Sequence, residues 1–588
     1  MEQKERLVLF LVVSTAFIML AGPLLSPRQS PAPTPAAGAV AGSADAGVAA
    51  VAPRETDAIA VAGDAGAVEE NLAEQTATLE RPAGKLVFTN YGAGLLKAEL
   101  TGTKEREQKQ VSVAEGFKKL TGGTVEGSAQ MNVAQPPAQG PLPLSLSISG
   151  EDGVPVSAKY AMSDVTPTTV TFVTRRGAFE VTKRVKVDDS GYGFSFDVLV
   201  KNVGTVAKSA DLAINLSRGI DPTAEQKSSF FGGIGNESGP ACLSGTSYTR
   251  VLPGAEKGDN PTGLNKEEHA GPIHFFGIDQ QYFLGALYPK NAPIEGRCTL
   301  SATTHERVAV ATFPVSLEPN TTAAFHFGAF FGPKDLELLQ AVAAGGTPDG
   351  VAKSSTAHPN LDRVVDFGLW AFICRVLLAV LKLLHGVSGN WGWAIILLTV
   401  GVKIVLLPLT HKAMVSAESM KKLQPRMEEL KKKFPDDRER QQMEMMKLYQ
   451  EAKVNPLGGC LPLLVQLPIW AALFTTLRTS YELYGEPFIG PVWTDLTYKD
   501  PTYILPLALG ITMIVTQRLQ PQMMDETQAK IMTWFMPIFF TLLMLNYPAG
   551  LSLYIFTNNL LSIAQQFALK KFLASRGDNS EGGKASVA

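Results

Sequence analysis

The feature that most constrains this chain is the segregation of its apolar residues. Runs of membrane-spanning length sit at the N-terminus and again after about residue 365, and a polar stretch separates them. A bilayer core is about 30 Å thick and a helix rises about 1.5 Å per residue, so roughly 20 apolar residues cross it. Candidate spans are 7–25, 391–410, 460–480, 502–519, 531–546 and 551–569. The turn Asn546, Tyr547, Pro548, Ala549, Gly550 joins the last two. The expected fold is a multidomain membrane protein with a six-span helical part and a separate polar domain.

The first run follows Lys4 and Arg6 and reads as a retained anchor (1–25) with its N-terminus in the cytoplasm. A cleaved signal peptide is the alternative, because small-residue sites lie downstream. Residues 26–83 are rich in Ala, Pro and Gly and read as a disordered linker.

Residues 84–345 read as an all-β domain. Phe179, Val181, Val185 and Val187 share one parity, as do Phe194, Phe196, Val198 and Val200. Gly191 and Gly193 stand between the runs, which predicts a hairpin. Further strands fit 85–89, 308–313 and 323–331. The length suits a large antiparallel sandwich. Cys242 and Cys298 fall inside it. They form a disulfide in an oxidising compartment or remain two core thiols.

Residues 361–386 predict an amphipathic helix in the membrane interface, with Arg375 and Lys382 on one face. Between the second and third spans, residues 411–457 carry eleven Lys and Arg. The next loop has Lys499 against Glu482, Glu486, Asp495 and Asp500. The positive-inside rule places the basic loop in the cytoplasm and the β domain outside. Both termini, including a tail at 571–588, are then cytoplasmic.

A net charge of −2 leaves no basic footprint for nucleic acid. The chain has no CxxC pair, HExxH motif or P-loop, so neither metal, cofactor nor nucleotide is expected. No catalytic residue is assigned. Asp188, Asp189 and Asp197 are carboxylates of the β domain, read as surface or turn residues. A carbohydrate-processing enzyme and a secondary transporter are the rival classes. The transporter would show paired repeats, and none is visible.

Lys403 is the one charge within 391–410. It stands seven residues before Thr410, about 10 Å into the membrane. An ammonium there costs about 2.5–3.5 kcal/mol on insertion scales, so it should face protein or water, unless it snorkels to the headgroups. Thr399 lies one turn away. Tyr554, Asn558, Ser562 and Gln565 make a polar stripe on the last span. Gln466 and Gln517 add amides on the third and fourth. Such residues line water or glue helices together.

The basic loop, 411–457, reads as a helical hairpin turned at Pro435, Asp436, Asp437. Met420 and Met427 lie on the apolar side of the first arm, and Met443 and Met446 continue it on the second. Methionine suits surfaces that accept varied apolar partners, and a self-packed coiled coil is the alternative. Pro425 should kink or loosen the first arm.

The runs from Asn390 to Lys403 and on to Thr410, Val454 to Pro468, and Pro548 to Tyr554 resemble the YidC family. Tyr503 to Pro506 and Gln528 to Met532 match further on. The resemblance covers about 361–572, and the β region is similar to the family's periplasmic super-sandwich. It implies a five-helix insertase core (391–570) in the bacterial inner membrane. It also implies a protein that is not an enzyme, inserting and helping to fold membrane proteins, alone or with the Sec translocon. A hydrophilic groove, open to cytoplasm and lipid, is implied to receive the substrate. Thr399, Lys403 and Gln466 match groove positions, and Lys403 stands where the family usually has Arg. Ile555, with Tyr554 beside it, matches a substrate-contacting Tyr of some members. Implied partners are nascent membrane proteins, SecYEG and SecDF, ribosome and signal-recognition components, and the lipid bilayer.

Overall fold

The computed structural model describes residues 72–102, 130–138, 140–150, 153–188, 191–220, 238–254, 260, 262–343, 360–434, 437–452, 461–489, 492–519 and 530–582. The expected anchor, most of the linker and Cys460 lie outside the described residues.

A three-stranded sheet comes first: β1 (Thr76–Arg81), β2 (Gly84–Thr89) and β3 (Leu95–Leu100). Ordered structure thus starts inside the segment read as linker, 26–83. Ala77, Leu79 and Arg81 alternate inward and β1 pairs with β2. Averaging composition over the whole segment hid this short period-two run.

The remaining strands form a thirteen-stranded sheet. The predicted hairpin is present: Phe179–Val187 pairs antiparallel with Gly193–Asn202, Val181 opposite Val200 and Val185 opposite Phe196. Gly191 takes a φ of 84°, a left-handed value that a glycine adopts without strain. The strands expected at 308–313 and 323–331 are Glu306–Leu317 and Thr322–Pro333. These two are not hydrogen-bonded neighbours in the sheet. Yet the Phe313 ring lies 6.0 Å from that of Phe325 and 5.6 Å from that of Phe327. The sheet therefore folds back on itself as a sandwich. Cys242 and Cys298 form a disulfide with Cα atoms 6.6 Å apart. Their strands flank Asn265–Asp279 on either side. Closing this loop is worth about 4 kcal/mol in the chain-entropy account.

Lys183 is fully buried in this core. Its Nζ donates to the carbonyls of Ala93 and Leu144, the latter at 2.9 Å. Both acceptors come from non-glycine residues with positive φ, 47° and 63°. The rings of Phe88, Phe172 and Phe196 surround the ammonium at 5.5, 5.6 and 4.8 Å. One lysine thus ties together two strained turns and three strands.

The helical part follows. α1 (Leu336–Ala343) closes the β domain, and α2 (Ala371–Ser388) leads into the spans. α2 buries Cys374, Leu377, Leu378 and Leu381 and leaves Phe372, Val376, Val380, Leu383 and Val387 exposed. It is therefore apolar on both sides. Its predicted cationic face splits. Arg375 is exposed, but Lys382 bridges Glu337 at 2.8 Å and Glu482 at 2.9 Å. Those carboxylates come from distant segments, which a local pattern does not reveal.

α3 (Trp391–Lys433) runs unbroken from the span into the first arm of the hairpin. Pro408 and Pro425 lie inside it, and neither ends the helix. Met427 beside it is held by the Tyr449 hydroxyl, 3.6 Å from its sulfur. The second arm is α4 (Arg438–Glu451), capped by the Asp437 side chain, which accepts from the Arg440 amide at 3.0 Å. Then come α5 (Leu461–Thr479), α6 (Ile504–Leu519), a π-helical turn (Ile531–Phe535) leading into α7 (Met536–Met544), and α8 (Ala549–Gly582). α8 continues into the residues read as tail.

Among the described residues, Gly368–Ser388 and Trp391–His411 are long and apolar enough to cross a membrane. Ile504–Leu519 and Ile531–Met544 are shorter apolar helices. The two parts share packing. Tyr481 and Tyr484, just after α5, belong to the β-domain core. Their rings meet Phe283 at 5.8 and 5.1 Å.

Burial holds the Lys183 pKa well below that of a free lysine. Between the two values the unfolded chain binds the extra proton, so stability rises with pH there and levels off near about 10.4. Denaturant titrations at stepped pH should show this rise in the wild type and lose it in Lys183→Met. Equal slopes in the two proteins would contradict it.

Candidate functional site

Polar residues predicted on three of the spans meet around Lys403. It is only 8% exposed, while its neighbours Ile404 and Val405 are 64% and 76% exposed. α3 thus turns its apolar side outward and its charge inward. The Lys403 Nζ donates to Ser562 Oγ at 2.8 Å. That hydroxyl donates to the Asn558 carbonyl at 2.8 Å. The Asn558 side-chain oxygen accepts from Gln466 Nε2 at 3.3 Å. One chain of hydrogen bonds therefore joins α3, α8 and α5.

Thr399 is buried one turn from Lys403, with its hydroxyl turned back to the Ile395 carbonyl at 2.7 Å. Tyr554 is buried and Ile555 half-buried on α8, one turn from Asn558. Gln517 is half-buried on α6 and belongs to none of these bonds. Among the described residues no carboxylate pairs with Lys403, and no three His, Cys, Asp or Glu are placed to hold a metal. An unpaired ammonium among apolar helices is costly, and one hydroxyl offsets only part of that cost. The arrangement suits an anionic or carbonyl partner arriving from outside.

α8 carries a second polar face that the sequence reading missed. Ser552 and Gln566 are buried, and Asn559 Nδ2 donates to Thr512 Oγ1 of α6 at 3.5 Å. These three residues recur every seven positions, a spacing that could have revealed them. Gln565, the last residue of the predicted stripe, is half-buried. α6 also packs closely on α7. A Cβ at Gly510 would stand 2.2 Å from Thr541 Oγ1.

In the hairpin, Met420 and Met427 are buried. Met443 and Met446 are not: each is 56% exposed. The inner face of α4 runs instead through Met445, Leu448 and Tyr449. The period was right but its phase was off by two residues, about 160° around the helix.

A buried cation among apolar helices, joined to a disulfide-bonded sandwich, defines a membrane-embedded protein with a large β domain. The family model described as the YidC periplasmic domain matches residues 145–380. The model described as 60Kd inner membrane protein matches 383–576. A membrane protein insertase YidC from Anaeromyxobacter sp. (strain Fw109-5) is 37% identical over 516 residues, 85% of each chain. One from Geobacter sulfurreducens is 34% identical over 397 residues, covering 67% of this chain and 69% of its own. A solved active YidC insertase aligns over 84% of this chain and 92% of its own, at 20% identity and TM-score 0.34. The chain belongs to the YidC family of membrane protein insertases.

Two substitutions separate packing from polar contact in the helical part. Gly510→Leu should destabilise the folded protein by about 1–3 kcal/mol through overpacking against Thr541. Gln466→Leu should cost only about 0.6 kcal/mol, the mean for an interhelical hydrogen bond in a membrane. Thermal unfolding in detergent reads both, and the reverse order would contradict the packing described.

Proposed function

We propose that Lys403 is the charged floor of a water-filled groove through which this insertase receives nascent membrane proteins. The observation that carries the reading is a cation buried among apolar helices with no carboxylate beside it among the described residues. Structural glue explains the amides and hydroxyls of the stripe, but not an uncompensated charge. The groove is bounded by Lys403 and Thr399 on α3, Gln466 on α5, and Tyr554, Ile555, Asn558 and Ser562 on α8. Gln517 stands near its cytoplasmic rim on α6.

The protein has six spans in the bacterial inner membrane, both termini in the cytoplasm and the β domain in the periplasm. Burying apolar side chains in lipid yields about 25 cal/mol per Å², enough to drive a span of roughly 20 residues into the bilayer. Nothing needs to be hydrolysed, and the protein is not an enzyme. The barrier is the substrate's polar tail crossing hydrocarbon. A wet cationic groove lowers it by attracting an acidic tail partway. Substrates with longer or more charged tails pass with SecYEG and SecDF, for which the β domain offers a docking surface. The hairpin meets the ribosome and signal-recognition components. Its exposed Met443 and Met446 serve as adaptable contacts. Lysine keeps the charge of the family's arginine without its planar fork, so attraction and not bidentate geometry acts here.

The test is insertion of a single-span protein with an acidic tail into liposomes lacking the translocon, scored by protease protection. Lys403→Arg should match wild type, Lys403→Ala should be slower by about tenfold, or roughly 1.4 kcal/mol, and Lys403→Glu slowest. Equal rates in all four proteins would sink the charge-guided groove.

A further inference from the structure

We propose that Ser562 is a positioning residue: it decides whether the Lys403 ammonium stands inside the groove or out among the headgroups. The proposal rests on the groove reading above and adds to it the group that holds the charge in place.

A lysine this close to the cytoplasmic face has two places to go. Its position is about 10 Å deep, and a lysine stem spans roughly half that distance while its backbone tilts or the bilayer thins to supply the rest. Depth alone therefore does not choose between them, and local partners do. Nζ is placed inward, 2.8 Å from Ser562 Oγ on α8, across 159 residues of sequence.

The hydroxyl is set to receive it. A serine hydroxyl has one hydrogen and two lone pairs. Ser562 donates its hydrogen to the Asn558 carbonyl at 2.8 Å, four residues back on its own helix. What it turns toward Lys403 is therefore an acceptor. Asn558 is itself held by Gln466 at 3.3 Å, so the acceptor is backed by a third helix. An ammonium carries three N–H donors, and Ser562 takes one. The other two have no partner among the described residues. They are the donors left for a carboxylate or carbonyl on an arriving chain.

Alanine at 562 accepts nothing, so Lys403 should swing outward while keeping its charge. Threonine retains the same oxygen and the same back-bond. The experiment uses the full chain in liposomes with the hairpin side exposed. A water-soluble acylating reagent modifies amines, and mass spectrometry reads Lys403 against Lys447, a residue of the exposed hairpin, as control. Insertion of the acidic-tailed protein is measured in parallel.

Ser562→Ala should raise acylation of Lys403 relative to Lys447 at least threefold and slow insertion several-fold. Ser562→Thr should restore both to wild-type values, which a loss of packing alone would not predict. If the alanine protein does not fold, Ser562→Cys carries the same expectation, since a thiol of similar size accepts poorly. Unchanged acylation in the folded alanine or cysteine protein, or no rescue by threonine, would overturn the proposal. Should Lys403→Ala insert normally, the groove reading fails by itself, and acylation still decides what holds the ammonium.

Discussion

Everything in the helical part is arranged around one ammonium that lipid would reject. The Lys403–Ser562 contact at 2.8 Å sits on a helix whose neighbouring Ile404 and Val405 are exposed apolar side chains. That arrangement makes α3 two-sided. It also makes α8 polar along the line of Asn558 and Ser562, and brings Gln466 of α5 to the same place. Remove the charge and the stripe is ordinary interhelical glue. Keep it, and the three helices meet at an ammonium with two open donors and no counter-ion among the described residues. In the proposed groove, such a site would attract an anionic segment without trapping it, since no fixed partner among the described residues must be displaced. An insertase needs both properties, because the substrate must also leave into lipid.

The β domain is not a loose appendage. Tyr481 and Tyr484 follow directly on α5 and pack into the sandwich core with Tyr282 and Phe283. Lys382 of α2 joins Glu337 of α1 to Glu482 in the same region. The C-terminal end of α5 is thus clamped, and α5 carries Gln466, bonded to Asn558, toward its other end. Lys183 and the Cys242–Cys298 disulfide stiffen the domain that does the clamping.

Much of this was legible from the chain. Period-two alternation is a local property, and the hairpin around Gly191 followed from it directly. The lone charge at Lys403 and the spacing of Asn558 and Ser562 marked residues that the fold brings into one hydrogen-bonded chain. What failed were features set by partners far away in sequence. Lys382 was read by its own helix face, while its real neighbours are Glu337 and Glu482. The second polar face of α8 needed α6 beside it to be seen, through Asn559 and Thr512. Met443 and Met446 share a face, but only the packing of Leu448 shows that it is the outer one. β1 was lost because six residues with the right alternation followed a long Ala-rich and Pro-rich run. The disulfide was open because spacing alone cannot say which strands become neighbours.

The central claim is that the interior around Lys403 is wet. It is tested most directly by the reactivity of single cysteines, with the native Cys374 and Cys460 replaced, toward a membrane-impermeant maleimide added on the hairpin side. The account predicts rapid labelling at Asn558→Cys and none at Ile404→Cys, which points away from the site at 64% exposure. Protection of both positions would mean a dry bundle, with the polar stripe as helix-to-helix glue.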